Sequence, residues 1–233
     1  MPRRTWVSWS SGKDSTLALA VAREDPELEV VGLLTTLNKS AGRVAMHAVR
    51  RELLVAQADA VGLPVHQVEL PWPCSNEEYE ELMRGAVAAA TAAGVTRMVF
   101  GDLFLADVRA YREGALGGTG IEPVFPLWGR PTNALATEML DRGIRATITC
   151  VDPRQLEADF AGRAFDRDLL ADLPEHVDPC GENGEFHTFV HDGPGFSRPL
   201  EVRVGEIVER DGFVFADVLA GPVADSAAPP PVN

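Results

Sequence analysis

Ten residues near the N-terminus, Trp6-Val7-Ser8-Trp9-Ser10-Ser11-Gly12-Lys13-Asp14-Ser15, constrain this chain more than any other stretch, together with the Thr16-Leu17-Ala18-Leu19-Ala20-Val21-Ala22 run that follows them. They read as a short apolar strand, a tight loop of small residues and a helix that is apolar nearly all round. A strand that feeds a helix through such a loop makes an anion site. The helix N-terminus carries unpaired N–H groups and a partial positive charge. Ser11 and Gly12 let the backbone approach an anion closely, Lys13 adds a point charge, and the hydroxyls of Ser10 and Ser15 can donate. The loop is neither G-x-x-x-x-G-K-[ST] nor G-x-G-x-x-G. Ordinary N-cap and turn chemistry would use the same residue types, so the loop alone leaves both readings open.

The remainder of the chain alternates apolar strands with helices. Strands are expected at 5–9, 28–37, 64–70, 95–101 and 144–151, and helices at 13–23, 46–60, 75–94, 105–116 and 132–142. Gly62 and Gly143 are helix stops, Ser75 with Glu78 forms a capping box, and Thr132 is the expected cap of its helix. This order predicts a doubly wound, Rossmann-like parallel sheet covered on both faces. Ligands of such sheets lie beyond the strand C-termini, so Ser10–Ser15 and Gly101-Asp102 would face one crevice if their strands are neighbours. After residue 152 the texture changes to two short helical patches, a turn-rich stretch and two alternating strands around Asp211-Gly212, a hairpin signal. The expected organisation is a nucleotide domain over 1–128, a smaller α+β domain over 129–220 and a disordered Pro/Ala-rich tail over 221–233.

With 233 residues the chain can bury a sizeable core. Its net charge of −14 disfavours a nucleic-acid partner, because no basic face offsets it. The apolar runs are far shorter than a membrane span, and the N-terminus does not read as a signal peptide. Cys74, Cys150 and Cys180 form no disulfide framework or zinc spacing, which points to a reducing, cytoplasmic setting. On this reading Trp6, Trp9, Trp72 and Trp128 are core residues, and Arg112 belongs to a solvated helix face. A dimer is the default expectation for such a protein.

A second constellation lies at Gly181-Glu182-Asn183-Gly184-Glu185. It sets two carboxylates three apart between glycines, directly before the apolar Phe186-x-x-Phe189. Paired carboxylates can hold Mg²⁺, bind an ammonium or act as a base. A simple solvated turn would use the same residues, but the apolar strand anchors this one.

Here the chain resembles a known family. Ser10–Ser15 is similar to the PP-loop, S-G-G-x-D-S, with Ser11 in place of its first glycine. Three stretches in order look like the diphthine–ammonia ligase family of the adenine nucleotide α-hydrolase (HUP) superfamily: Ser10–Ser15, then Gly101-Asp102 with Asp107 and Arg109, then Cys180-Gly181-Glu182-x-Gly184-Glu185-Phe186. Asn183 replaces a glycine of the last signature. This and His187, with the Met46–Arg50 stretch, point to a related branch of the family.

The resemblance implies an ATP pyrophosphatase that adenylates a carboxylate, releases pyrophosphate and joins the acyl group to ammonia or an amine. It implies ATP and Mg²⁺ as cofactors, and as partner a carboxylate substrate, either a small molecule or a protein side chain. ATP would rest on Ser10, Ser11, Gly12, Lys13, Asp14 and Ser15, with Thr35 and Gly101 nearby. Lys13, Asp102, Glu182 and Glu185 would act catalytically. His47, Arg50, Asp107 and Arg109 would touch substrate, and Asp14 and Glu182 the metal. The competing readings are a tRNA-modifying PP-loop enzyme, disfavoured by the charge and the isolated cysteines, and a passive nucleotide binder of universal-stress type, which needs no Glu182/Glu185 loop.

Overall fold

The computed structural model of the chain describes residues 1–44 and 47–221. Met46 and the tail from residue 222 onward therefore lie outside the described residues. Two sheets meet over one core. The first has β1 (Arg3–Ser8) at its centre, paired in parallel with β2 (Leu28–Asn38) on one side and β5 (Arg97–Val99) on the other. β4 (Val65–Leu70) pairs in parallel with β2, and β6 (Glu122–Val124) with β5. A two-residue strand, β3 (Arg43–Val44), adds an antiparallel pair at Leu37 and Asn38. The order β4-β2-β1-β5-β6 changes direction at β1, so the switch point of this α/β sheet falls between the ends of β1 and β5.

The alternation of side chains along a strand divides this sheet into two faces. Val7, Leu33, Leu37 and Val99 face one core, with α1 (Lys13–Glu24) and α2 (Arg51–Val61). Trp6, Leu34, Val68, Met98 and Phe100 face the other, with α3 (Asn76–Ala92) and α4 (Ala106–Leu116). The capping box of Ser75 and Glu78 forms as expected, and Gly62, left-handed at φ 70°, ends α2.

The second sheet is antiparallel. β7 (Arg145–Val151) pairs with β8 (Ala164–Phe165), β9 (Phe186–Asp192) and β11 (Phe213–Ala220), and β10 (Val202–Arg210) forms a hairpin with β11. Asp211 and Gly212 both adopt positive φ, 52° and 79°, the geometry that a two-residue hairpin turn demands. α5 (Thr132–Asp141) precedes this sheet, and a 3₁₀ turn at Ala158–Phe160 and α6 (Arg167–Asp172) lie within it. Phe186, Phe189 and Val190 of β9 share one core cluster with Val7, Leu17 and Leu33. The strand that follows the Glu182–Glu185 turn is therefore packed against the first helix.

Four expectations need correction. The second helix starts at Arg51, and His47 to Arg50 form the approach to it, closed by a bridge between Arg43 and Arg50. Thr132 does not cap α5; Pro131 holds the cap position and no side chain caps this helix end. Trp72 is 71% exposed, because it sits between two prolines in an extended break. Arg112 is half-buried, with its guanidinium 5.1 Å from the Phe100 ring centroid. Among the described residues no helix is long and apolar enough to cross a membrane.

Candidate functional site

The loop between β1 and α1 is held by residues distant in sequence. Gly12 occupies the N-cap position of α1 without any side-chain cap, so a first-turn amide needs a partner from elsewhere. Thr188 of β9 supplies it, its Oγ1 accepting from the Lys13 N–H at 3.1 Å. Ser11 adopts φ +70°, a backbone region usually left to glycine, and its carbonyl accepts from the Val190 N–H and from Gln57 Nε2. Gln57 is fully buried and also accepts from Trp9 Nε1. The loop is thus fixed from β9 and α2. The Asp14 and Ser15 amides, at the first turn of α1, have no acceptor inside the helix.

Lys13 does not extend into solvent. It is 1% exposed, and its ammonium donates to the Asp14 carboxylate, 2.9 Å away, and to the main-chain carbonyl of Cys180. Burial is the largest single influence and disfavours the charged lysine, but the groups around it, Asp14 foremost with Cys180 and Glu182, together outweigh it and leave the pKa raised. Asp14 is therefore an ion-pair partner and does not cap the helix. Ser15 Oγ donates to the Gly12 carbonyl and lies 3.2 Å from Ser10 Oγ.

Gly101, at the end of β5, packs directly on this loop: a Cβ there would come within 3.0 Å of the Asp14 carbonyl carbon and of the Ser15 nitrogen. Two residues further on, the Leu103 N–H donates to Glu182 Oε1 at 2.7 Å. The ends of β1 and β5 and the turn before β9 thus converge. Burial is the main reason that the Glu182 carboxyl is pushed up to about 7, with Asp14 and Asp102 adding like charge. Burial also raises Asp102, against the pull of Arg112, whose Nε stands 3.7 Å away.

A cavity of about 1400 Å³ opens over these groups. Ser10, Lys13, Asp14, Ser15, Thr35, His47, Gly101, Asp102 and Glu182 line it, and it runs on between α3 and α4. Thr35 Oγ1, at the cavity, and Ser11 Oγ, in the loop, are buried hydroxyls without a hydrogen-bond partner. The Thr35 orphan fits a polar ligand beside β2.

Several expected site residues stand elsewhere. Glu185 does not line the cavity; its Oε1 accepts from the Asp178 N–H and from Asn183 Nδ2, so it braces its own turn. Arg50 forms a bidentate ion pair with Asp217 of β11, joined by Arg43 at 2.8 Å. Arg109 pairs with Glu113 and lies over the rings of Phe125 and Trp128. Neither Asp107 nor Arg109 reaches the cavity wall, because helical spacing turns Val108, Tyr111 and Arg112 of α4 toward it instead.

Gln57 and Thr188 carry no local signal in the sequence; the expectation there for His187 is a structural or substrate-contact residue, and for Arg112 part of a solvated face. His187 and His47 face each other with ring centroids 4.6 Å apart on the cavity wall, and burial lowers both pKa values. The carbonyl of Thr188, 3.1 Å from His47 Nδ1, can only accept, so it fixes the proton on Nδ1 and leaves Nε2 with its lone pair.

Among the described residues no group of three or more His, Cys, Asp or Glu side chains is arranged to cage a metal ion. The carboxylates of Asp14 and Glu182 both line the cavity, and one or two carboxylates are what a Mg²⁺ held mainly by phosphate oxygens takes from a protein.

Comparison with known proteins bears on the same segments. The family model described as the diphthamide synthase N-terminal domain matches residues 3–117, and that of the diphthamide synthase C-terminal domain matches residues 131–217. The chain is 28% identical over 150 residues to diphthine–ammonia ligase of Bos taurus and 29% identical over 151 residues to that of Homo sapiens. Each alignment covers 62% of this chain and 56% of the relative, so the chain spans about half the length of these proteins. The Danio rerio relative is 27% identical over 176 residues, 69% of each chain.

Proposed function

The chain belongs to the diphthamide synthase family, and on that premise we propose that it is an ATP-dependent, AMP-forming ligase that joins a substrate carboxylate to ammonia or an amine. The observation that carries this reading is the convergence of the β1–α1 loop, the end of β5 and the Glu182 turn on one cavity, tied by the Lys13–Cys180 and Leu103–Glu182 contacts. A passive nucleotide binder needs the loop but has no use for a buried carboxyl titrating near neutrality above it.

In this mechanism the triphosphate lies against the first turn of α1, where the amides of Asp14 and Ser15 and the hydroxyl of Ser10 donate to it. Thr35 lies beside the base. Lys13, held by Asp14 and Cys180, keeps the loop open to an anion and adds positive potential beneath it. Mg²⁺, when bound to the phosphates, would neutralise charge with Asp14 or Glu182 as its protein ligand. A carboxylate oxygen of the acceptor attacks the α-phosphorus, and the bond to the bridging oxygen breaks, releasing pyrophosphate. The amine nitrogen then attacks the acyl carbon, and AMP leaves with the acceptor's original oxygen. Amide formation sheds one proton, which Glu182 takes in this scheme. Asp102 lies beside it as a hydrogen-bonding group for the acceptor or the amine. Holding both reactants over the loop supplies much of the acceleration.

Oxygen tracing tests the scheme. The protein, ATP and Mg²⁺ are incubated with ammonium and a panel of ¹⁸O-labelled carboxylates, and the products are separated. AMP and pyrophosphate in equal amounts, with one ¹⁸O in the AMP, are the expected result. Production of ADP, or no nucleotide turnover with any carboxylate, would overturn the reading.

A further inference from the structure

The cavity is larger than the nucleotide reading uses. Beyond Asp102 it continues between α3 and α4, above the face of the sheet that carries Leu34, Met98 and Phe100. Its volume of about 1400 Å³ exceeds the roughly 300–1,000 Å³ typical of a site for one small ligand. α3 buries only Ala86 and Ala90, and α4 only Leu116. Met83, Val87 and Val108 therefore stand half-buried along the groove.

One cation projects into this apolar wall. The Nε of Arg112 is buried without a hydrogen-bond partner, and so is Oδ2 of Asp102, 3.7 Å from it and beyond hydrogen-bonding range. The other charged residues of α3 on the groove, Glu80 and Arg84, are exposed, and Arg84 Nε is occupied by the Glu80 carbonyl. Arg109, the residue expected to hold an anion, is turned away onto Phe125 and Trp128.

Resting on the ligase reading above, we propose that the groove between α3 and α4 is the acceptor subsite and takes a monocarboxylate with an apolar body, its carboxylate received by Arg112. A planar guanidinium suits a carboxylate, and the apolar wall makes the pairing stronger than it would be in water. An incoming carboxylate would push the Asp102 carboxyl further in the direction burial already sets, and a proton held between the two would satisfy Oδ2 while Arg112 Nε gains its own partner. The wall beside Arg112 is apolar at Met83, Val87 and Val108, and Arg112 itself is a cation, so a plain acid fits better than an amino acid. The position is also productive: Asp102 directly follows Gly101, which packs on the Asp14–Ser15 backbone. A carboxylate on Arg112 therefore stands next to the loop where the α-phosphate is expected.

Calorimetric titration of the full chain tests this with hexanoate, 4-methylpentanoate and 3-phenylpropanoate against hexan-1-ol, succinate and leucine, with ATP titrated separately. The three apolar monocarboxylates should bind the wild type at least about 10-fold more tightly than the other three. Arg112→Met should weaken them about 10- to 100-fold, the loss of a charged hydrogen bond, while Arg112→Lys recovers part of the affinity. Val108→Glu, which places a like charge in the groove, should weaken them independently of Arg112. The proposal is overturned if the wild type binds none of these acids, if Arg112→Met and Val108→Glu bind them as the wild type does, or if leucine binds more tightly than 4-methylpentanoate. Failure of ATP to bind would count against the ligase reading and leave the carboxylate results legible in their own right.

Discussion

The ammonium of Lys13 donates to the carbonyl of Cys180, 167 positions further along the chain, while the same ammonium pairs with its neighbour Asp14. The β1–α1 loop and the acidic turn are therefore two ends of one interaction. Removing the lysine should do more than remove a charge from the loop.

Lys13→Met keeps the volume but leaves the Cys180 carbonyl without its donor and the half-buried Asp14 without its cation. Losing these charge-assisted hydrogen bonds costs about 1.5–3 kcal/mol. We expect carboxylate-dependent AMP release to fall at least ~100-fold, and the urea midpoint to drop with it. A variant with full stability and full turnover would refute the role of Lys13.

Gly101→Ala tests the contact between β5 and the loop. The added methyl would meet backbone atoms of Asp14 and Ser15 at 3.0 Å, and backbone cannot rotate away. The loop must shift, at a cost of about 1–3 kcal/mol. The KM for ATP should rise roughly 10-fold as the first-turn amides move off their positions, and initial-rate kinetics against ATP would read this directly.

Glu182 and Glu185 should separate on substitution, although they are three residues apart. Glu182→Gln keeps an oxygen for the Leu103 N–H but loses the base, so turnover should fall about 100-fold with ATP affinity retained. Glu185→Gln weakens the bonds from Asp178 and Asn183 and should lower stability by about 1–2 kcal/mol. Thermal melts and single-turnover assays on both variants would test the contrast; equal kinetic losses would contradict it.

Asp217 supplies a pH test of the tether between the two sheets. Burial raises its pKa, but hydrogen bonds from Arg50 and Arg43 prevail and hold it down at about 2. A depressed folded-state pKa stabilises the protein above the unfolded value near 4 and loses that contribution as pH falls toward the folded value. The stability difference between wild type and Asp217→Asn should be on the order of 2 kcal/mol at neutral pH, and should shrink between about pH 4 and pH 2. Chemical denaturation across that range would show it, and a difference that does not vary with pH would refute it.

Local order was legible in the chain itself. Strand and helix periods, the capping box at Ser75, the stop at Gly62 and the hairpin at Asp211-Gly212 depend on residues a few positions apart, and each formed as its chemistry dictates. So did the strand–loop–helix at Ser8–Ser15, and with it the place of the crevice, because the ends of parallel strands leave few alternatives. What the sequence could not decide was which way side chains turn once helices pack. Helical phase on α4 sends Arg112 to the cavity and Arg109 to Phe125, although both follow the same short motif. Arg50 finds Asp217, Lys13 finds Cys180 and Thr188 replaces a missing cap, all across 167 to 175 positions. Such pairings are set by the closure of two sheets over one core, and no window of neighbouring residues contains that information.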